Sequence, residues 1–358
     1  MSQRPLLELT LEELRGWFVQ RGQPAYRADQ VRRWLFARRA DEFAAMTDLP
    51  AALRAALADE FTIFAGRVAA HRRAPDGTHK LLVAYPDGSQ IECVLIPEDG
   101  RRTICISTQV GCAMGCVFCA SGLEGVRRNL TRGEIVEQML RLDRLLPAGE
   151  RITHIVVMGM GEPLVNLENL LAALAVAGDK EGLGIGARRV TISTVGLPEG
   201  IRRLAEAGKQ YHLAVSLHAP DDALRDRLVP VNRRIGVRAI LEACGEFFQR
   251  TGRQVTYEYV LLAGVNDRPE QARALVRLLG GRKAYVNVIP YNPVAGLPYR
   301  TPTPEAAHRF AAILRRGGVA VNLRRRKGAE IDAACGQLRL TRHRPEAVTA
   351  GEATAPRR

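Results

Sequence analysis

A chain of 358 residues, 46% hydrophobic and 25% charged, has the composition of a globular protein, and at roughly 150 residues per domain its length gives about two domains. No apolar run approaches the roughly 18 residues of a membrane span, and residues 1–15 are too acidic and too broken in hydrophobicity for a signal peptide, so a cytoplasmic location without a membrane partner is expected. Lys and Arg number 52 against 38 Asp and Glu, a formal charge of +14 carried largely by arginine pairs such as Arg127-Arg128 and Arg188-Arg189. Guanidinium forks suit phosphate, so a nucleic acid is one partner this charge admits; solvated arginine-rich faces are the other reading.

Helical spacing of apolar residues predicts three short helices, Leu11–Val19 (Leu11, Leu14, Phe18), Ala28–Arg39 (Val31, Trp34, Leu35) and Leu49–Phe61. Two strand-like runs follow, His79–Tyr85 and Gln90–Ile96, joined by Pro86-Asp87-Gly88-Ser89, whose Asp-Gly pair signals a hairpin. From Thr103 onward strands are predicted near Ile104–Ser107, Ile152–Met158, Val190–Ser193, Leu213–Ser216, Val255–Leu261 and Tyr285–Ile289, with a further candidate at Val319–Leu323. They alternate with helices around Glu134–Leu146, Leu167–Ala177, Gly200–Ala207, Ile235–Arg250, Pro269–Leu279 and Pro304–Arg316. That alternation predicts an α/β fold with a parallel sheet, and six βα units suit a partial (β/α)6 TIM-like barrel better than a closed eight-stranded one. The expected organisation is a small helical N-terminal accessory domain over 1–75, a β-hairpin extension over 76–98, the barrel with a C-terminal segment over 99–340, and an unfolded tail over 341–358 in which Val348 is the one large apolar residue. The glycines Gly182, Gly184 and Gly186 precede a strand instead of joining strand to helix, so they read as a loop and not as a dinucleotide site.

Seven cysteines, an odd number, argue against a disulfide framework and for metal or redox chemistry. The strongest signal is Cys112-Ala-Met-Gly-Cys116-Val-Phe-Cys119, placed just after the first barrel strand. Three thiolates so close in sequence hold three corners of an iron-sulfur cube and leave the fourth iron open; a structural zinc site and a set of inert buried thiols are the alternatives. Active sites of such barrels gather at the carboxyl ends of the strands, where Gly161 and Glu162, Ser193, Ser216-Leu217-His218 and Asn292 fall. Each of these alone also reads as a turn former, a cap or a loop residue; their shared location is what marks them.

The CxxxCxxC spacing, with Phe118 before the last cysteine, resembles that of the radical S-adenosylmethionine (SAM) superfamily. The stretches Val157-Met158-Gly159-Met160-Gly161-Glu162-Pro163-Leu164, Ser216-Leu217-His218-Ala219 and Ala333-Ala334-Cys335-Gly336-Gln337-Leu338 narrow the likeness to the RlmN/Cfr family of radical SAM RNA methyltransferases, most like its RlmN branch, over about Leu11 to Leu340. The resemblance implies a radical SAM barrel with one [4Fe-4S] cluster on Cys112, Cys116 and Cys119, and SAM contacts at Gly161, Glu162, Ser193, Ser216, Leu217, His218 and Asn292. It implies that Cys335, just after the basic run Arg324–Lys327, is methylated by a first SAM, and that the radical from a second removes hydrogen from that S-methyl so that the carbon adds to adenine. Cys105 then resembles the thiol that releases the RNA by forming a disulfide with Cys335, and Glu92, set by alternation on the strand face opposite Cys93, the general base. Without the resemblance Glu92 reads as a solvated strand carboxylate, and Cys93 and Cys244 as small buried hydrophobes.

The implied substrates are adenosines methylated at carbon 2, one in the peptidyl-transferase region of 23S ribosomal RNA and one beside the anticodon of certain transfer RNAs, each flipped out of its stack into the barrel mouth. The accessory domain would engage the RNA, and an external electron donor such as a flavodoxin would serve a monomeric enzyme. A Cfr-type reaction at carbon 8 and, outside enzymes, a zinc-stabilised RNA-binding module are the alternatives.

Overall fold

The computed structural model describes residues 3–324 and 328–338; residues 325–327 of the basic run and the whole of 341–358, read from the sequence as a tail, lie outside the described residues. The chain opens with β1 (Arg4–Pro5), α1 (Leu11–Val19), α2 (Arg27–Phe36), α3 (Ala51–Glu60) and β2 (Phe61–Thr62), with β1 and β2 paired in parallel. Thr10 and Glu13 form a capping box that starts α1. Trp17 and Phe18 bury the inner side of that helix, and the Trp17 ring meets Phe61 edge-on at 5.7 Å. The bundle is clamped to the rest of the protein through α4 (Arg132–Asp143): Arg39 donates to Asp143 Oδ2 at 2.8 Å, and Arg132 to the Leu7 carbonyl at 3.0 Å.

A single ten-stranded sheet runs through the remainder. Its antiparallel side consists of β3 (Arg67–Arg73), β4 (His79–Ala84) and β5 (Gln90–Glu98), and β5 pairs antiparallel with β6 (Arg101–Cys105). The expected hairpin is therefore the β4–β5 turn, closed by Gly88 at φ +77° and by Asp87 Oδ1 accepting from the Ser89 N–H. β3 lies in the stretch expected to be helical, and the three strands extend the barrel sheet itself. Beyond β6 a short antiparallel pair, β7 (Gln109–Gly111) with β8 (Val126–Asn129), brackets the cysteine loop.

From β6 the sheet continues through β9 (His154–Val157), β10 (Val190–Thr194), β11 (His212–Ser216), β12 (Val255–Leu261), β13 (Ala284–Pro290) and β14 (Ala320–Leu323), every neighbour parallel. Between them run α4, α5 (Leu167–Gly178), α6 (Pro198–Glu206), α7 (Asp222–Leu228), α8 (Val237–Thr251), α9 (Pro269–Leu279) and α10 (Pro304–Arg316). The strand order is linear with β14 and β3 as its ends, so the six βα units curve into an open barrel. Alternation along the strands separates two environments: Ile155, Ile192, Leu213 and Val286 pack fully buried under the helices, while Thr103, His154, Thr191, Glu258 and Asn287 line the interior. Among the described residues no helix is long and apolar enough to cross a membrane.

Candidate active site

The cysteine loop is held by backbone bonds on both flanks. Cys112 N–H donates to the Gly125 carbonyl at 2.9 Å, Val117 N–H to Leu228 at the end of α7 at 3.1 Å, and Ala120 N–H to Gly336 at 2.8 Å. Gly111, at φ +79°, begins the loop where a Cβ would lie 2.0 Å from the Gly125 oxygen, so only glycine permits the β7–β8 closure. A second apolar cluster, with Phe118, Leu228, Val229 and Tyr291, packs against Cys116 and Cys119. Cys112, Cys116 and Cys119 are half-buried free thiols. Burial pushes Cys112 up to about 11 and raises Cys116 and Cys119 as well; Cys119 further disfavours ionisation of Cys112 and Cys116, and Cys335 that of Cys119.

As a donor set, three thiols on one loop fit an iron-sulfur cube, in which every sulfur sits on its own iron. Among the described residues no group of His, Cys, Asp or Glu converges as the ligands of one ion do.

At the carboxyl end of β9, Gly161 has φ +101° and a Cβ there would come within 2.6 Å of Gln109. Glu162 is buried; its backbone N–H donates to Gln109 Oε1 at 2.8 Å, while its carboxylate accepts from the N–H groups of Val195 at 2.8 Å and Leu164 at 3.1 Å. Burial raises this carboxyl, opposed by those bonds, so Glu162 braces the turn after β9 against the loop after β10. Ser193 and Ser216 lie half-buried at the ends of β10 and β11.

Leu217 and His218 both donate backbone N–H to the Glu258 carbonyl, at 3.0 and 3.3 Å. His218 takes φ +59°, and its Nδ1 accepts from Val260 N–H at 3.1 Å. Burial, aided by the charge of Arg225, holds its pKa down to about 3, so the ring is neutral and keeps Nε2–H as a donor. Phe118 of the cysteine loop meets it edge-on at 4.8 Å. Asn292, buried after β13, donates Nδ2 to the Cys335 carbonyl at 3.2 Å and leaves Oδ1 without a partner among the described residues. Such an orphan, together with the tight glycine turn at Gly161, fits a polar ligand across the strand ends.

Cys105, at the end of β6, and Cys335, exposed on the C-terminal segment, line one cavity of about 1220 Å³ inside the barrel. Burial, then the neighbouring Cys335, pushes the Cys105 thiol up to about 12. Arg324, the described member of the basic run, is drawn to Cys335 and is raised by it. Glu92 is buried on β5, not solvated, with Lys80 Nζ at 2.9 Å from Oε1; it is not among the side chains lining the cavity. The link is Lys80, which also donates to the Asp332 carbonyl at 3.1 Å, three residues before Cys335. Cys93 and Cys244 are core thiols raised by burial.

Sequence reasoning missed Arg225. This fully buried guanidinium donates to the carbonyls of Leu217 and Ser216, both at 3.0 Å, and also to Val195 O and Asn232 Oδ1. It thereby fastens the loops after β10 and β11 behind the cysteine loop. Its sequence, Asp221-Asp222-Ala223-Leu224-Arg225-Asp226-Arg227, reads as a solvated charged helix, and nothing in that run signals burial.

Comparison with known proteins supplies the context for this geometry. Residues 106–276 match the radical SAM superfamily, and residues 5–63 match the ribosomal RNA large subunit methyltransferase N-terminal domain. A protein of Rhodopirellula baltica named "Probable dual-specificity RNA methyltransferase RlmN" is 60% identical over 337 residues, 94% of this chain and 91% of that protein. A protein of the same name from Symbiobacterium thermophilum is 49% identical over 342 residues, 95% of this chain and 92% of its own. The crystal structure of a radical SAM methyltransferase from Sphaerobacter thermophilus superposes with a TM-score of 0.91 at 45% identity, covering 94% of this chain and 99% of that one.

Proposed function

The chain belongs to the RlmN family of radical SAM RNA methyltransferases, and from that premise we propose that it methylates carbon 2 of adenosine in 23S ribosomal RNA and in certain transfer RNAs, passing the methyl carbon through Cys335 and using two SAM per turnover. Its cofactors are a [4Fe-4S] cluster and SAM, which sets aside the zinc-stabilised binding module. When bound, the pair supplies a 5′-deoxyadenosyl radical able to take hydrogen from an S-methyl group.

The observation that carries the reading is the pairing of Cys105 with Cys335 in one cavity of the barrel. On this reading Cys112, Cys116 and Cys119 ligate the cluster, and Gly161, Glu162, Ser193, Ser216, Leu217, His218 and Asn292 seat SAM at the strand ends. Cys335 presents the methyl group from a segment tied down through Asn292 and Lys80. Once its carbon is joined to the base, the adduct would return one electron to the cluster, left oxidised by the cleavage of SAM, and give its ring proton to Glu92, restoring the aromatic ring. Cys105 then gives up its thiol proton and attacks the Cys335 sulfur; the carbon–sulfur electron pair goes to the carbon, which takes up a proton, so that a disulfide forms and the methyl group stays on the RNA. Burial supports the role of Cys105: it keeps the thiol protonated, and so unreactive, until the adduct arrives.

The formal charge of +14 supports a polyanionic substrate, and binding should weaken steeply as salt is added. Residues 5–63, by their match to an N-terminal domain of ribosomal RNA methyltransferases, are the segment we assign to engaging the RNA. The test is anaerobic incubation of the reconstituted enzyme with SAM, a reductant, a 23S ribosomal RNA fragment and transfer RNA, followed by mass and NMR analysis of the modified nucleoside. 2-Methyladenosine is expected. 8-Methyladenosine would overturn the carbon 2 assignment, and no methyl in either RNA would overturn the substrate reading.

A further inference from the structure

One rung of the barrel interior is built differently from the rest. Ser216, Glu258, Asn287 and Asn322 are successive partners across β11, β12, β13 and β14. Asn287 Nδ2 donates to Glu258 Oε1 at 3.0 Å, and Asn322 Nδ2 reaches Asn287 Oδ1 at 3.5 Å. With Glu258 ionised, the form that the Arg324 guanidinium and the Asn287 amide favour, its carboxylate accepts only, so Asn287 turns its amino group toward Glu258 and its oxygen toward Asn322. All donors therefore point one way, and the chain ends at Glu258 Oε2. The residue is 4% exposed, and that oxygen has no partner among the described residues. Glu258 lines the same cavity as Cys105 and Cys335. Burial raises its carboxyl, while the Arg324 guanidinium and then the Asn287 amide favour the ionised form.

We propose that Glu258 reads an adenine amino group inside the barrel, Oε2 accepting a hydrogen bond from the exocyclic amine of a purine seated against the Glu258–Asn287–Asn322 rung. A buried acceptor at the end of a one-way chain selects a ligand that brings a donor. The 6-amino group of adenine does so, whereas the 6-oxo group of hypoxanthine or guanine would set oxygen against oxygen. Two adenines meet in this cavity on the reading above, on which this inference rests: that of the target nucleotide, approaching Cys335, and that of SAM, expected at Ser216 on the same rung. Both present the same amine.

The experiment compares wild-type holoenzyme with Glu258→Gln, a variant of equal size that replaces the terminal oxygen with a donor. Matched iron content and Tm confirm that both are folded and loaded. Two arms separate the sources of adenine: methyl transfer to RNA carrying either adenosine or unsubstituted purine riboside at the target position, and SAM affinity by equilibrium dialysis without RNA. Should the amine be that of the RNA base, wild-type kcat/KM falls about 10- to 100-fold on the purine-riboside RNA, Glu258→Gln loses this discrimination, and the Kd for SAM is unchanged. Should it be that of SAM, Glu258→Gln weakens SAM binding by about the same factor and the RNA discrimination stays. Unchanged SAM affinity together with unchanged discrimination in Glu258→Gln overturns the proposal. So does a wild-type enzyme indifferent to the amine whose SAM affinity the variant does not alter. If wild-type enzyme methylates no adenosine, the substrate reading fails, and the SAM arm alone then decides the role of Glu258.

Discussion

Replacing Arg225 with methionine removes the guanidinium that joins the ends of β10 and β11 while retaining most of the apolar stem. Four acceptors lose this donor, the carbonyls of Val195, Ser216 and Leu217, and Asn232 Oδ1, but the Leu217 carbonyl keeps the Ala219 N–H at 2.8 Å, which leaves three to count. At about 1 kcal/mol for each buried acceptor left unsatisfied, the change costs about 3 kcal/mol. An unfolding entropy of about 2.1 cal/mol/K per residue over 358 residues amounts to roughly 0.75 kcal/mol/K, so Tm should fall by about 4 °C. The same loss frees the Ser216-Leu217-His218 turn, so SAM affinity should drop along with stability. Arg225→Lys separates geometry from charge: an ammonium cannot span both strand ends as the fork does, and only a minor part of either loss should return. Calorimetry at matched iron content and equilibrium dialysis with SAM read both effects. Arg225→Met with a Tm within about 1 °C of wild type, or full rescue by lysine, would refute the stapling argument.

Other outcomes follow from the pair of cysteines. Cys335→Ala should keep its iron and transfer no methyl to RNA, as read by label incorporation; residual turnover contradicts the relay. Cys105→Ala should accumulate protein joined covalently to RNA, visible as a shifted band on a denaturing gel, and only free protein there would remove Cys105 from the release step. Alkylation at pH 8.5 should label Cys335 first: a thiol at about 12 is thiolate to only about 3 parts in 10,000, making Cys105 roughly a thousandfold slower than an ordinary cysteine. Peptide mass analysis over time checks this, and equal rates would mean that Cys105 is not buried as described.

The repeating part of the fold was legible because each βα unit carries its own signal. The helices over Pro269–Leu279 and Pro304–Arg316 match the expected bounds, since an apolar stripe and a proline at the first turn agree at each. What escaped was local and poorly patterned. β3, Arg67–Arg73, is a mostly exposed end strand rich in arginine, and such charged edges lack the apolar alternation that identifies inner strands. β7 and β8 pair across the whole cysteine loop, so no short turn announces them. α7 has seven residues, too few for a helical period to emerge.

At the site, the cysteine motif and the strand-end residues were marked by sequence and position. Lys80, Arg225 and the Glu258 rung were not, because a buried charge looks like a surface one until its neighbours are known. Glu92 shows this from the other side: alternation placed it correctly opposite Cys93, yet its burial against Lys80 depends on a strand and a C-terminal segment that only the tertiary structure brings together.

The path of the methyl carbon is the most direct test of the account. Enzyme first incubated with methyl-labelled SAM, freed of small molecules, and then supplied with unlabelled SAM, reductant and RNA should carry the label on the peptide containing Cys335 before the second step and on the adenine afterwards. Label that never appears on Cys335, or RNA methylated only from the second, unlabelled SAM, would contradict it.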